Sequence, residues 1–243
     1  MYIIGLTGPS GAGKTTALRV LESMGGKVFD CDAIYHALLR TDGELLGQIE
    51  AAFPGAVKDY ALDRKALGAK VFADPAGLER LTAITQPIVA KRVLEELQRS
   101  DAAPTEPAAG RRIVGAAGFA VCHSERSEES VSPSPVADCP SPIASFAVID
   151  AIGLFESGLG AKCELSVAVV ADPELRVRRL MARDHISAEY ARARIAAQKP
   201  ADYYRSRADL ILENNGTEAE FEERCRSIFE EQLRSEKRRE NAE

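Results

Sequence analysis

The sequence contains no tryptophan and only three histidines, and its five cysteines are scattered without a CxxC spacing. This pattern favours free thiols in a reducing compartment over a disulfide or zinc framework. No apolar run approaches the length of about 20 residues that a membrane-spanning helix needs. The N-terminus also lacks the basic segment that opens a signal peptide. We therefore expect a cytoplasmic protein without a membrane partner.

The chain also lacks an excess of positive charge, because its formal net charge is -6 at pH 7. This balance argues against a general nucleic-acid-binding surface, although it leaves room for a local basic pocket. Of the 243 residues, 45% are hydrophobic and 28% are charged. Such a composition is typical of a soluble globular core. We expect a single domain over residues 1–243, either a monomer or a weak oligomer.

Short apolar runs alternate with amphipathic helical segments along most of the chain. YIIGLTG, KVFD, FAVIDAI, LSVAVVAD and ADLILENNG are typical of buried strands. Residues 33–99 have mainly helical periodicity, with DPAGLERLTAI and QPIVAKRVLEELQRS as separate segments. The alternation predicts an α/β fold with a parallel sheet and helices on both faces.

Residues 101–145 differ in composition from the rest of the chain. They are rich in Pro, Ser, Ala and Glu and show no clear periodicity. We interpret them as a low-complexity surface insertion that is expected to be disordered, with a regulatory arm as the alternative. Cys122 and His123 lie within it, but two potential ligands are weak evidence for a metal site.

The segment GPSGAGKT, residues 8–15, matches the phosphate-binding loop pattern G-x-x-x-x-G-K-[ST]. Glycine permits backbone conformations that turn successive N–H groups into one anion-binding concavity at a helix N-terminus. Lys14 is expected to reach the β- and γ-phosphates of ATP, and the Thr15 hydroxyl to ligate Mg²⁺. The alternative, a glycine-rich turn, fits poorly with a strand before the loop and a helix after it.

The segment VFDCD, residues 28–32, suggests a kinase, because small-molecule kinases place a carboxylate after the second strand. In an extended backbone Asp30 and Asp32 share a face, so both carboxylates can point to the phosphates while Cys31 faces the other way. One can bind Mg²⁺ and the other can deprotonate an acceptor hydroxyl. Helix N-capping is the alternative for Asp32. AVID, ending at Asp150, could imitate the acidic strand end of larger ATPases.

Arginines are concentrated in residues 176–207 of this acidic chain. Guanidinium groups suit phosphate oxygens, although several of these arginines should be ordinary solvated helix charges. We favour Arg183 and Arg207 as phosphate or substrate ligands. The helix, break and helix of MARDHISAEYARARIAAQKP suit a lid.

Outside 101–145, the chain resembles the dephospho-coenzyme A kinase family. The resemblance rests on IGLTGPSGAGKTT, VFDCDAIYHALL, LFESGL and ADLILENNG, together with the LDR, ARD and downstream Gln motifs. It implies a P-loop NTPase three-layer α/β/α core, a helical coenzyme A-binding insertion at 33–99 and a helical lid at 176–200. It also implies transfer of the ATP γ-phosphate to the ribose 3′-hydroxyl of dephospho-coenzyme A.

The motifs and the resemblance together assign residue roles, and Arg64, Glu156 and Gln198 are implied by the resemblance alone. Asp32, Lys14 and Arg183 are the expected catalytic residues, and Asp32 is the base. The expected ATP ligands are Gly8, Gly11, Ala12, Gly13, Lys14, Thr15, Thr16 and Arg183. The expected acceptor ligands are Asp32, Arg64, Glu156, Gln198 and Arg207, and the expected metal ligands are Thr15 and Asp30.

The chain departs from the family pattern at four places. Gln86 replaces the usual His before Pro87, Ile152-Gly153 replaces the usual Pro-Leu, and Tyr204 replaces a common basic residue. The fourth departure is the long insertion. The remaining alternatives are another nucleotide or small-metabolite P-loop kinase and a non-catalytic nucleotide-binding regulator.

Overall fold

The computed structural model describes residues 1–74, 76–101 and 146–242. The predicted insertion at 101–145 therefore lies, apart from Asp101, outside the described residues. Within the described ranges, none of the helices is both long and apolar enough to cross a membrane.

A five-stranded parallel sheet forms the centre of the fold, as predicted. Its strands are β1 (Tyr2–Thr7), β2 (Lys27–Asp30), β5 (Phe146–Asp150), β6 (Leu165–Val170) and β7 (Leu210–Glu213). Their order across the sheet is β2-β5-β1-β6-β7. Strands β1, β5 and β6 are apolar runs without exposed residues, as expected for strands covered on both faces.

Helices cover both faces of this sheet. Helices α1 (Lys14–Ser23) and α9 (Glu218–Glu240) pack on one face, where Leu21 and Phe229 are fully buried. Helix α5 (Gly77–Asp101) packs on the other face through Val93 and Leu97. The capping box of Thr217 and Glu220 fixes the start of α9.

The region between β2 and β5 has a core of its own, formed by α2 (Cys31–Thr41), α3 (Gly43–Ala52), α4 (Arg64–Ala73) and α5. Two details differ from the sequence prediction. A short hairpin of β3 (Val57–Lys58) and β4 (Ala61–Leu62) interrupts the helices, with Asp59 and Tyr60 at positive φ in its turn. Helix α5 also continues through Pro87 instead of dividing there.

Three helices and a short 3-10 turn (Leu159–Lys162) complete the second half of the chain. They are α6 (Pro173–Asp184), α7 (Ala188–Ala196) and α8 (Ala201–Arg205). Asp172 caps α6, and His185 ends it in the left-handed conformation, which produces the break predicted before α7. The sequence analysis did not predict α8, which is only one turn long.

Candidate functional site

The glycine-rich loop lies between the carboxyl end of β1 and the first turn of α1, as its spacing predicts. Gly8, Gly11 and Gly13 all have positive φ, which L side chains rarely adopt. Space is also restricted, because a Cβ on Gly13 would collide with the Asn214 amide and one on Gly8 with the Val169 carbonyl. The loop conformation therefore requires glycine for two independent reasons.

Two arginines of α6, Arg176 and Arg179, donate hydrogen bonds to carbonyl oxygens of this loop. Arg179 donates to the carbonyl oxygens of Gly11 and Ala12 at 3.4 Å, and Asn214 Nδ2 donates to Ala12 O at 2.8 Å. Arg179 also donates to Asn214 Oδ1 at 3.0 Å. These bonds occupy carbonyls that would otherwise point away from the cavity without partners.

The second arginine, Arg176, is only 4% exposed. It donates to Ser10 O at 3.0 Å and to Gln198 Oε1 at 2.7 Å, and Gln198 Oε1 also accepts from Ser10 N. Gln198 thus lies against the loop, whereas we expected it at the acceptor. The sequence analysis favoured Arg183 and Arg207 and missed Arg176, Arg179 and Asn214. Only their i, i+3 spacing on α6 hinted that the two arginines act together.

A cavity of about 680 Å³ opens in front of the loop, and we call it the loop cavity. Lys14 lies in its wall, and Lys14 Nζ donates to Gly8 O at 3.1 Å. Burial lowers the pKa of Lys14, and the carboxylates of Asp150 and Asp32 oppose that shift. The site therefore places a positive charge in the wall of a concave space at the N-terminus of α1, which suits a polyphosphate. The other lining residues are Pro9, Ser10, Gly11, Gly13, Thr15, Asp32, Ile152, Arg179, Leu180, Ala182 and Arg183.

The remaining predicted ATP ligands differ in their surroundings. Thr15 is exposed and lines the loop cavity. Thr16 is buried, and its hydroxyl donates to Glu218 at 3.4 Å, so its side chain is engaged with the start of α9. Ala12 is fully buried and faces the Arg179–Asn214 contact.

The predicted geometry of the two carboxylates after β2 is wrong. The strand ends at Asp30, and Cys31 is the first residue of α2. Asp30 Oδ1 accepts from the N–H groups of Asp32 and Ala33 at 2.8 and 3.0 Å, so Asp30 rather than Asp32 is the helix cap. Asp32 lies in the first turn of α2, does not cap the helix and lines the loop cavity. An Asp after a strand can cap the helix that follows, and this preference overrides continued extension.

Asp150 is the second carboxylate close to Lys14. It pairs in register with Asp30 and with Leu6, so the parallel strands bring it to the same sheet edge as the glycine loop. Burial raises the pKa of Asp150, Lys14 opposes the shift, and Asp30 and Asp32 add to it. The sequence signal was the strand AVID, which we noted but did not assign to the site.

Arg183 lines the loop cavity, as predicted, but its guanidinium is engaged with its neighbour. Nε and Nη2 of Arg183 donate to the two carboxylate oxygens of Asp184 at 2.7 and 3.0 Å. Arg194 of α7 donates to the same carboxylate at 2.7 Å. The contacts with Arg183 and Arg194 lower the pKa of Asp184 to about 2.

A smaller cavity of about 160 Å³ adjoins the loop cavity, and we call it the side cavity. Asp32 and Ile152 line both cavities. The walls of the side cavity come from α2, α5 and the segment after β5. Its remaining lining residues are Cys31, Tyr35, Thr85, Gln86, Val89, Ala151, Gly153, Ser157 and Leu159.

The other predicted acceptor ligands lie around this region. Arg64 is the first residue of α4 and lies close to Tyr35. Burial raises the pKa of Tyr35, and the positive charge of Arg64 opposes this rise. Glu156 contacts Tyr203, whose pKa is raised to about 12 by burial and by this contact. The Arg207 guanidinium lies 4.1 Å from the centroid of the same Tyr203 ring.

The fold and the loop cavity together define a P-loop kinase. The family model described as dephospho-CoA kinase matches residues 2–106 and 140–220. A dephospho-CoA kinase from Anaeromyxobacter dehalogenans is 35% identical over 89% of this chain and 85% of its own length. One from Geobacter sulfurreducens is 33% identical, covering 94% of this chain and 98% of its own.

Solved structures agree with this result. The crystal structure of TT1252 from Thermus thermophilus has a TM-score of 0.63 and 31% identity, covering 95% of this chain and 97% of that one. A dephospho-CoA kinase from Campylobacter jejuni has a TM-score of 0.59 at 24% identity, covering 96% and 98%, which supports the fold.

The chain therefore belongs to the dephospho-CoA kinase family. It is a kinase, and its activity is the ATP-dependent phosphorylation of dephospho-CoA in coenzyme A biosynthesis.

The family match stops at residue 106 and resumes at residue 140. We expect deletion of residues 107–139 to change the free energy of unfolding by about 1 kcal/mol or less, because the family model matches the chain on both sides without this segment and chain length between two fixed ends affects stability only weakly. Turnover should be nearly unchanged. Urea unfolding and steady-state kinetics on the deleted and full chains check this. Insoluble protein, or a large loss of turnover, would instead assign the segment a structural or catalytic role.

Proposed function

We propose that Asp32 is the general base that activates the ribose 3′-hydroxyl of dephospho-CoA. The observation that carries this proposal is the position of Asp32, where the loop cavity meets the side cavity. The acceptor oxygen bonds to the γ-phosphorus of ATP while the bond from that phosphorus to the β–γ bridging oxygen breaks. The hydroxyl proton passes to the Asp32 carboxylate.

The glycine loop binds the phosphates of ATP through its backbone N–H groups, and Lys14 neutralises charge on the β- and γ-phosphates. Gly8, Gly11, Ala12 and Gly13 act through the backbone. Thr16 acts through its backbone and its contact with Glu218. Arg176 and Arg179 bind the start of the predicted lid, residues 176–200, to the glycine loop, so the part that closes lies after Arg179. Arg183 turns from Asp184 towards the transferred phosphate when that part closes.

The oxygen donors around Lys14 fit a magnesium ion. Thr15 is exposed and lines the loop cavity, and the Asp150 carboxylate is close enough to Lys14 to oppose the lowering of the Lys14 pKa. Bound Mg²⁺ would neutralise phosphate charge during transfer. Asp30, the carboxylate first assigned to the metal, already caps α2, so Asp150 is the better candidate.

Acceptor binding is divided between two regions. Arg64, beside Tyr35, and Arg207, on Tyr203, are the cations proposed to bind the acceptor pyrophosphate, and Glu156 orients Tyr203. Gln198 acts indirectly, through the loop and Arg176. Residues 33–99 form the coenzyme A-binding insertion. We further propose a cytoplasmic enzyme that is a monomer or weak oligomer and binds no nucleic acid.

The proposed function is tested by ADP release from ATP and Mg²⁺ with and without dephospho-CoA. We expect release to depend on the acceptor and one phosphorylated acceptor to form per ADP. Acceptor-independent release, or binding without turnover, would favour the non-catalytic regulator instead.

The Arg179–Asn214 contact gives a separate prediction about loop positioning. Asn214→Ala removes the nearer of the two donors to Ala12 O and one acceptor of Arg179, and we expect the free energy of unfolding to fall by about 1–3 kcal/mol. The KM for ATP should rise more than the KM for dephospho-CoA. Kinetics with each substrate varied, beside the matched surface variant Asn241→Ala, measure both. Equal changes in the two KM values would contradict a specific role in the loop.

A further inference from the structure

We infer that the side cavity binds the adenine ring of the acceptor and that the Gln86 amide recognises its 6-amino edge. This inference rests on the proposed function, because it requires the acceptor ribose to lie at Asp32. With the 3′-hydroxyl at Asp32, the base attached to the same ribose must occupy adjoining space. The side cavity is the concave space that continues from Asp32 away from the glycine loop.

The lining of the side cavity suits an uncharged flat ring. Tyr35, Val89 and Leu159 supply aromatic and aliphatic walls. Among the described lining residues, Asp32 is the only charged one. The described lining has no cation that could bind the pyrophosphate arm of the acceptor. The adenine ring, in contrast, would be enclosed by apolar groups with a few polar ones, as is usual in ligand sites. The arm therefore leaves towards Arg64 or Arg207.

Gln86 supplies the polar group that can select among rings. Gln86 is half-buried, and among the described residues its amide has no hydrogen-bond partner and is accessible in the side cavity. An amide presents a donor and an acceptor side by side, which matches the 6-amino group of adenine and the ring nitrogen next to it. Such a bidentate pair is among the most discriminating contacts to a base.

Gly153 lies directly opposite this amide. A Cβ at Gly153 would stand 3.1 Å from Gln86 Nε2, which is tighter than an ordinary contact. Gln86 and Ile152-Gly153 are far apart in the sequence, but in the structure they line the same cavity. We interpret them as one adaptation, in which a small residue at 153 makes room for the glutamine amide.

The test compares dephospho-CoA with its analogue in which hydrogen replaces the 6-amino group. We expect the parent enzyme to prefer dephospho-CoA by about tenfold in kcat/KM. Gln86→Met keeps the side-chain length and removes the amide. We expect kcat/KM for dephospho-CoA to be about tenfold lower in this variant, mainly because KM rises. The variant should also use the two acceptors equally well. The KM for ATP should stay unchanged, as should all values for the matched surface variant Gln48→Met.

A second variant acts without changing Gln86. Gly153→Ala pushes the amide by a few tenths of an ångström, so the preference for the 6-amino acceptor should shrink while the ATP KM holds. Calorimetric binding of both acceptors gives a readout that does not depend on turnover. A preference that survives in Gln86→Met, or no preference in the parent, would overturn the inference alone. A parent that binds both acceptors but phosphorylates neither would overturn the proposed function instead.

Discussion

Replacing Lys14 by alanine is expected to lower kcat for phosphate transfer by about 10³-fold or more, the scale at which phosphate-directed charges act in this chemistry. Lys14 lies in the wall of the loop cavity and donates to Gly8 O of the glycine loop. No other residue of the described loop can supply that charge, because the remaining members are glycine, alanine, proline, serine and threonine.

The same variant should fold normally. Burial lowers the pKa of Lys14, which means that the folded protein disfavours the ammonium ion, so its loss removes an unfavourable burial. Lys14 is also the group that opposes the rise in the Asp150 pKa, and we therefore expect that pKa to rise further in Lys14→Ala.

Steady-state kinetics, thermal unfolding and the exposed control Lys237→Ala complete this experiment. We expect Lys14→Ala to be inactive but to unfold in a single cooperative transition, with a small loss of stability at neutral pH because Asp150 loses its opposing charge. Lys237→Ala should match the parent. Near-normal turnover in Lys14→Ala would contradict the assignment of the loop to phosphate binding.

Replacing Asp32 by asparagine is expected to lower turnover on dephospho-CoA by about 10²-fold or more, the usual scale of general base catalysis. Asparagine keeps the size of the side chain but cannot accept the proton as a carboxylate does. Affinity for ATP should change little, because the proposal assigns the ATP phosphates to the glycine loop and Lys14, and the acceptor hydroxyl to Asp32. The helix should also remain intact, since its cap is Asp30.

Asp30→Asn is the matched control for this experiment. It retains the capping oxygen, so we expect turnover close to that of the parent. Asp150→Asn should instead raise the Mg²⁺ concentration needed for half-maximal rate. A Mg²⁺ titration of all three variants separates the roles. If Asp30→Asn were inactive and Asp32→Asn active, the base and the cap would have to be exchanged.

The phosphate loop was predictable because its chemistry is local. Its glycines, Lys14 and the helix start follow one another in eight residues, so spacing alone specifies the anion site. The parallel sheet was predictable for a similar reason, since each strand is an apolar run between helices. The Asp30–Asp32 geometry was not, because strand continuation and helix capping compete at the same residues.

The contacts made over long sequence distances could not be predicted. Arg179 and Asn214 meet behind Ala12 only after β6 and β7 have paired beside β1. Likewise, the position of Asp150 depends on the insertion of β5 between β1 and β2. The sequence shows that such groups are present, but the strand order of the folded sheet determines which of them are in contact.

The most direct test of the account is the identity of the phosphorylated product. Phosphorus NMR of the product made from ATP and dephospho-CoA locates the new phosphate group on the ribose. We predict a single phosphomonoester on the 3′-oxygen, formed in equal amount to ADP and absent in the Asp32→Asn variant at matched times. A phosphate on another oxygen, or ADP formed without a phosphorylated acceptor, would contradict the placement of the acceptor hydroxyl at Asp32.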